Sequence, residues 1–200
     1  ALFLSNNILV EIPETIGNLT NLEFFHMPGN QLTELPLSIS NLSSLISFNI
    51  DNNYFTIVPY GLIELNNLQY VYMANNALNS LPANIELLSA LQILSVYTNN
   101  IPYIPPSIGQ LDELYHLDFS NNTLTYLPEN ICAIYTNLTS FNIGLNYICP
   151  PYPECLNEND IGYQDISECD GCCYEEFIAN ENCDDASCFI PQCTEYCEWE

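Results

Sequence analysis

The chain contains no Lys and no Arg in 200 residues, against 25 Asp plus Glu and two His, for a formal net charge of −25. An average soluble chain of this length carries on the order of twenty basic side chains. Their absence excludes whole classes of function. Phosphates go unneutralised, so DNA, RNA and anionic membrane surfaces are repelled. Lysine Schiff bases, phosphate-binding loops and arginine clamps are missing, and with them most cofactor-dependent and phosphoryl-transfer enzymes. Ion pairs within the chain are restricted to protonated His and the amino terminus. Long hydrophobic runs are lacking too, since no stretch approaches the ~20 apolar residues of a membrane span, and no membrane insertion is expected.

What is present is a period. Pro13, Pro36, Pro59, Pro82, Pro105 and Pro128 stand 23 residues apart, and Asn7, Asn30, Asn53, Asn76, Asn99 and Asn122 keep step with them. A fixed period of a few tens of residues marks a solenoid, whose units are too small to bury an apolar face alone and stack on their neighbours. Apolar residues hold fixed offsets around the Asn and Pro: Leu22, Phe25, Met27, Asn30, Leu32, Leu35 and Pro36 recur as Leu68, Val71, Met73, Asn76, Leu78, Leu81 and Pro82. Within each unit, alternation such as Phe25-His26-Met27 or Leu117-Asp118-Phe119 has the two-residue period of a strand. Short strands therefore pair in parallel. The Asn follows where the chain turns inward, where its amide can satisfy backbone groups of adjacent coils. Pro then stops strand pairing, and apolar residues three and six beyond it pack a short helical or irregular arc. A seventh unit, Leu138, Phe141, Ile143, Asn146 and Ile148, arrives one residue late, the extra residue falling among Tyr135, Thr136 and Asn137.

The pattern LxxLxLxxNxLxxLP over residues 1–149 resembles the leucine-rich repeat family. That resemblance implies an α/β solenoid, or horseshoe, with a parallel β-sheet on the concave face, short helical or irregular arcs on the convex face, and recognition as the role. It also implies a disulfide-closed cap over the last repeat. Cys149-Pro150-Pro151-Tyr152-Pro153-Glu154-Cys155 ends the periodicity, so residues 150–200 are expected to form an acidic, cysteine-rich, loop-rich C-terminal tail. Its core is thin enough to need crosslinks. Cys132, Cys149, Cys155, Cys169, Cys172, Cys173, Cys183, Cys188, Cys193 and Cys197 are expected to pair as disulfides, with connectivity open, and to place the chain outside the cell or at its surface. Cys169-Asp170-Gly171-Cys172 has a CxxC spacing, but acidic neighbours disfavour a reactive thiolate. The chain opens inside a repeat without a leader, and either an upstream segment or another subunit is expected to cover that end.

Outward strand positions form columns, and the densest group is Tyr70, Tyr72, Ile93 and Tyr97, joined by Phe24, His26, His116 and Asp118. This aromatic, nearly uncharged strip suits binding. His26 and His116 lie four repeats apart, about 19 Å at one strand spacing each, so they form no catalytic pair. Asp51 and Asp118, about 14 Å apart, exceed the roughly 5 to 9.5 Å of glycosidase carboxylate pairs. No catalytic site and no cofactor are expected. Calcium is a candidate ion at Asp160, Asp165 and Asp170 in the acidic tail. Asn18, Asn41, Asn121 and Asn137 fit the N-glycosylation acceptor rule. The expected function is non-enzymatic binding or adhesion to a protein or glycan through the concave face. The alternative is a structural subunit joining copies of itself into a filament or matrix through its first repeat.

Overall fold

The computed structural model describes residues 1–167 and Cys169. Residues 1–165 form one compact unit, and the chain divides after Asp165. Asp170, Cys172, Cys173, Cys183, Cys188, Cys193 and Cys197 lie outside the described residues. The compact unit thus continues past the 149/150 boundary marked by the end of the period.

Seven three-residue or shorter strands make a single sheet in chain order: β1 (Leu2–Phe3), β2 (Phe24–His26), β3 (Ser47–Asn49), β4 (Tyr70–Tyr72), β5 (Ile93–Ser95), β6 (His116–Asp118) and β7 (Ser140–Asn142). All neighbours are parallel, and the register follows the sequence period. Phe25, Phe48, Val71, Leu94, Leu117 and Phe141 are partners across successive strands. These central residues point inward, and those from Phe25 to Leu117 are fully buried. Phe25 and Phe48 meet edge to face with ring centroids 6.3 Å apart.

The prolines stand at the far side of the coil, where, lacking an N–H, they cannot extend the sheet. In five of the six, the carbonyl accepts from the backbone N–H three residues later: Pro13 O from Ile16, Pro36 O from Ile39, Pro59 O from Leu62, Pro105 O from Ile108 and Pro128 O from Ile131, at 3.0–3.2 Å. Those bonds start 3₁₀ turns at Glu14–Asn18, Leu37–Asn41, Leu62–Glu64 and Pro106–Gln110, with another at Ile85–Leu87. In the sixth coil an α-helix, α1 (Ile131–Tyr135), replaces the 3₁₀ turn. An α-helix rises 1.5 Å per residue against about 2.0 Å for 3₁₀. The one late residue is therefore absorbed over nearly the same span, and β7 stays in register.

The asparagine column binds each coil to the one before it. Asn99 Nδ2 donates to Met73 O of the preceding coil at 3.0 Å and to Val96 O of its own at 2.9 Å, while its Oδ1 accepts from Leu78 N at 2.9 Å. Asn30, Asn53, Asn76, Asn122 and Asn146 make the same set of bonds. Asn7 donates only to Leu4 O and Ser5 O and is exposed. Beyond the last asparagine the role passes to Gln164. Its Nε2 donates to Ile143 O at 2.9 Å and Ile161 O at 2.8 Å, its Oε1 accepts from Ile148 N at 3.2 Å, and it bridges Asn146 in parallel. Gln164 is held there by α2 (Glu158–Ile161), whose Ile161 is buried against the core. A disulfide from Cys132 on α1 to Cys155 ties this closing segment down, and Cys149 and Cys169 are also disulfide-bonded.

A second column, one residue before the asparagines, adopts the left-handed conformation: Asn6, Gly29, Asn52, Asn75, Thr98, Asn121 and Leu145, with φ from 53° to 69°. Asn and Gly tolerate this region, whereas Thr and Leu are strained in it.

Two substitutions test these readings by denaturant unfolding. Asn99→Ala, which orphans three buried backbone groups, is expected to destabilise the fold by about 3 kcal/mol, and Asn7→Ala by less than about 0.5 kcal/mol. Leu145 is more than half exposed, so Leu145→Asn should raise stability by about 1 kcal/mol through relief of backbone strain.

Candidate binding surface

Side chains that alternate with the core residues cover the concave face of the sheet. Phe24, His26, Tyr70, Tyr72, Ile93, Tyr97, His116 and Asp118 all lie on it, each half-buried by its neighbours along the sheet. Ser47, Ala74 and Ser95 in the same columns are fully covered. Small residues thus sink between large ones, and the face is a relief of aromatic ridges over small side chains. His26 on β2 and His116 on β6 are separated by three intervening strands.

Two polar groupings stand out. Around β2, His26 Nε2 and Ser47 Oγ are hydrogen-bonded at 2.8 Å, and the imidazole meets Phe3 and Phe24 edge to face at 5.2 and 6.4 Å. Burial in this setting lowers the His26 pKa below its ordinary value. Around β3 and β4, Asp51 Oδ1 accepts from the Ala74 backbone N–H at 2.6 Å and Oδ2 from Asn49 Nδ2 at 3.1 Å, while Asp51 N donates to Asn49 Oδ1 at 2.8 Å. Burial pushes the Asp51 carboxyl up, and the Ala74 and Asn49 hydrogen bonds pull against it. The Tyr72 phenol is raised, first by burial and then by the charges of Tyr115, Tyr70 and Asp51. Tyr70 donates its hydroxyl to Gln92 Oε1 at 3.1 Å, and Asp118 Oδ1 accepts from Ser120 N and Oγ at 2.9 and 2.7 Å.

Asp51 is the residue that sequence reasoning passed over as a binding element, having weighed it only as half of an acid pair. The available signal was its column: Ser5, Pro28, Ala74, Tyr97, Ser120 and Gly144 carry no charge where Asp51 does. Elsewhere, the acceptor asparagines Asn18, Asn41, Asn121 and Asn137 are all exposed, Asn121 donating to Thr98 Oγ1 and Asn137 to Asp112 O. Asp160 serves α2 as a capping-box acceptor from Asn157 N at 2.8 Å, Asp165 is exposed, and among the described residues no three His, Cys, Asp or Glu side chains gather as metal ligands. Among them, too, no helix is long and apolar enough to cross a membrane.

The lowered His26 pKa has a stability consequence with a definite sign. Folding disfavours the imidazolium, so this contribution is complete above the ordinary imidazole pKa of about 6.5 and shrinks as pH falls below it. The stability difference between wild type and His26→Gln should therefore shift against wild type between pH 7.5 and pH 5, measured by thermal unfolding in matched buffers; a difference independent of pH would contradict the assignment.

The Leucine Rich Repeat family model matches residues 113–134. No curated protein matches the chain. Among solved structures, the leucine-rich repeat ectodomain of the Arabidopsis thaliana membrane receptor kinase GASSHO1/SCHENGEN3, in complex with CASPARIAN STRIP INTEGRITY FACTOR 2, is 30% identical with a TM-score of 0.74, covering 82% of this chain and 21% of that one. A leucine-rich repeat protein of Leptospira interrogans is 31% identical with a TM-score of 0.57, covering 72% of this chain and 42% of that one. The plant peptide hormone receptor RGFR1 in complex with RGF2 is 28% identical with a TM-score of 0.65, covering 72% and 24%. The chain spans less than half the length of each. The in-register parallel sheet, the asparagine rungs, the disulfide-bonded C-terminal segment and these likenesses together make this chain a leucine-rich repeat protein.

Proposed function

We propose that this chain is a non-enzymatic, extracellular protein-binding module that engages its ligand through the concave face. One observation carries the reading. Inward columns and asparagine rungs meet the needs of stacking, so the half-buried aromatic relief of Phe24, Tyr70, Tyr72, Ile93 and Tyr97 is not required to hold coil on coil. Aromatic side chains on a rigid sheet offer large contact area with little conformational entropy to lose. The disulfides favour an oxidising compartment. The ectodomain of GASSHO1/SCHENGEN3 and the receptor RGFR1, whose structures contain bound ligands, lend support by analogy of architecture.

A displayed library of random peptides tests the proposal. Enriched binders should lose at least tenfold in affinity, about 1.4 kcal/mol, for a Tyr70→Ala/Ile93→Ala variant, and keep their affinity for Leu87→Ala on the convex side. Binders indifferent to the concave pair would overturn it.

A further inference from the structure

Among the described residues, Asp51 is an acid gripped from two coils. Its carboxylate is partly buried on the concave face, both oxygens are fixed by donors, and no Lys or Arg exists anywhere in the sequence to neutralise it. A desolvated carboxylate without a cation is costly, and hydrogen bonds to neutral donors offset only part of that cost. The chain nevertheless builds its position with care. Asn49, two residues earlier on β3, donates to one oxygen, and the backbone of Ala74, beyond the end of β4, donates to the other.

The neighbours of that carboxylate are aromatic. In the register of β3, β4 and β5, Asn49, Tyr72 and Ser95 form one row, and two residues further on Asp51, Ala74 and Tyr97 form the next. Ala74 is completely buried although its row faces the concave side. Backbone bonds from Asn52 N to Ala74 O and from Asn75 N to Tyr97 O continue the row on either side of it. Asp51 and Tyr97 stand one strand to either side of Ala74, with backbones about 9.6 Å apart. Tyr72 is the cross-strand partner of Asn49, whose amide donates to Asp51.

We propose that Asp51, Tyr72 and Tyr97 form a subsite for a guanidinium group, the side chain of an arginine presented by the protein ligand. Among cations, guanidinium fits the chemistry best. It is planar and weakly hydrated, stacks on aromatic faces, and carries five donors, some of which can reach the remaining lone pairs of a carboxylate already fixed in place. An ammonium is more strongly hydrated and loses more on entering a half-buried aromatic site. The inference rests on the concave-face reading above and specifies the anchor that the ligand supplies there.

The test uses the intact chain and small probes, with amide and side-chain NMR as readout. N-acetylarginine amide should give saturable shifts concentrated at residues 49–51, 72–74 and 97, N-acetylcitrulline amide, its neutral isostere, should give none, and N-acetyllysine amide should bind at least threefold more weakly. Asp51→Asn, checked for an unchanged spectrum elsewhere, should weaken the arginine probe at least tenfold, while Glu64→Gln, which removes an exposed convex charge, should leave it unchanged. If Asp51→Asn does not fold, Tyr72→Leu keeps the carboxylate with its hydrogen bonds and should weaken binding at least threefold. Equal binding of arginine and citrulline probes, shifts spread over the acidic surface, or indifference to Asp51 and Tyr72 would overturn the subsite. Equal binding of the lysine probe would overturn its assignment to guanidinium. The two proposals fail separately: library binders that need Tyr70 and Ile93 but contain no arginine sink this one alone.

Discussion

At the bend that follows each strand, the backbone leaves the sheet with carbonyls and an N–H that the strand ladder no longer reaches. A buried side chain carrying both donors and an acceptor has to meet them, and among short side chains only an amide does so. Asn99 donates to Met73 O and Val96 O and accepts from Leu78 N, so one residue links two coils through three buried groups. Aspartate would bring acceptors where carbonyls need donors, and an apolar residue would bring neither. Each rung fixes the distance between coils, and repetition of the rung forces the repetition of everything else. Asn7, in the first described coil, bonds locally and is exposed.

The same constraint explains how the described solenoid finishes. The last coil also leaves polar backbone groups facing away from β7, and an apolar cap alone would bury them unmet. Gln164 answers at Ile143 O and Ile148 N in the manner of an asparagine, its extra methylene serving a chain that approaches from α2 rather than from a strand. The Cys132–Cys155 bridge holds that approach in place. Disulfide and glutamine have separate jobs: one restrains the closing segment, the other satisfies the coil beneath it.

Much of this was legible in the sequence because stacking acts on columns. The phase of all the strands, the inward residues Phe25 to Phe141, the role of the asparagines and the late seventh unit follow from the 23-residue period. What the period does not carry was hidden. Gln164 follows Asn146 at a shorter spacing and with a different side chain, so no column leads to it. The left-handed column is visible in Asn6, Gly29, Asn52, Asn75 and Asn121, but Thr98 and Leu145 interrupt it. In those coils the neighbours dictate the bend and the residue bears the strain. Pairing of Cys132 with Cys155 depends on a Cα–Cα approach of 5.5 Å that only the folded coil defines. Asp51 was weighed only by its distance from Asp118, a measure that tests for hydrolytic chemistry and takes no account of the residues in the rows beside it.

Without Lys or Arg, the two concave aspartates are held by neutral donors, and in different ways. Asp118 turns back on its own segment, taking the N–H and hydroxyl of Ser120 through the same oxygen, as a local turn does. Asp51 reaches across to the neighbouring coil, and its two oxygens are held by donors from two different strands' ends. That cross-strand grip fixes the orientation of the charge relative to Tyr72 and Tyr97 rather than merely relieving it. Preorganised charge beside rigid aromatic groups lowers the entropy lost on binding a cation. The chain has no Lys or Arg to occupy the position, so the cation of the proposed subsite is one that the ligand supplies.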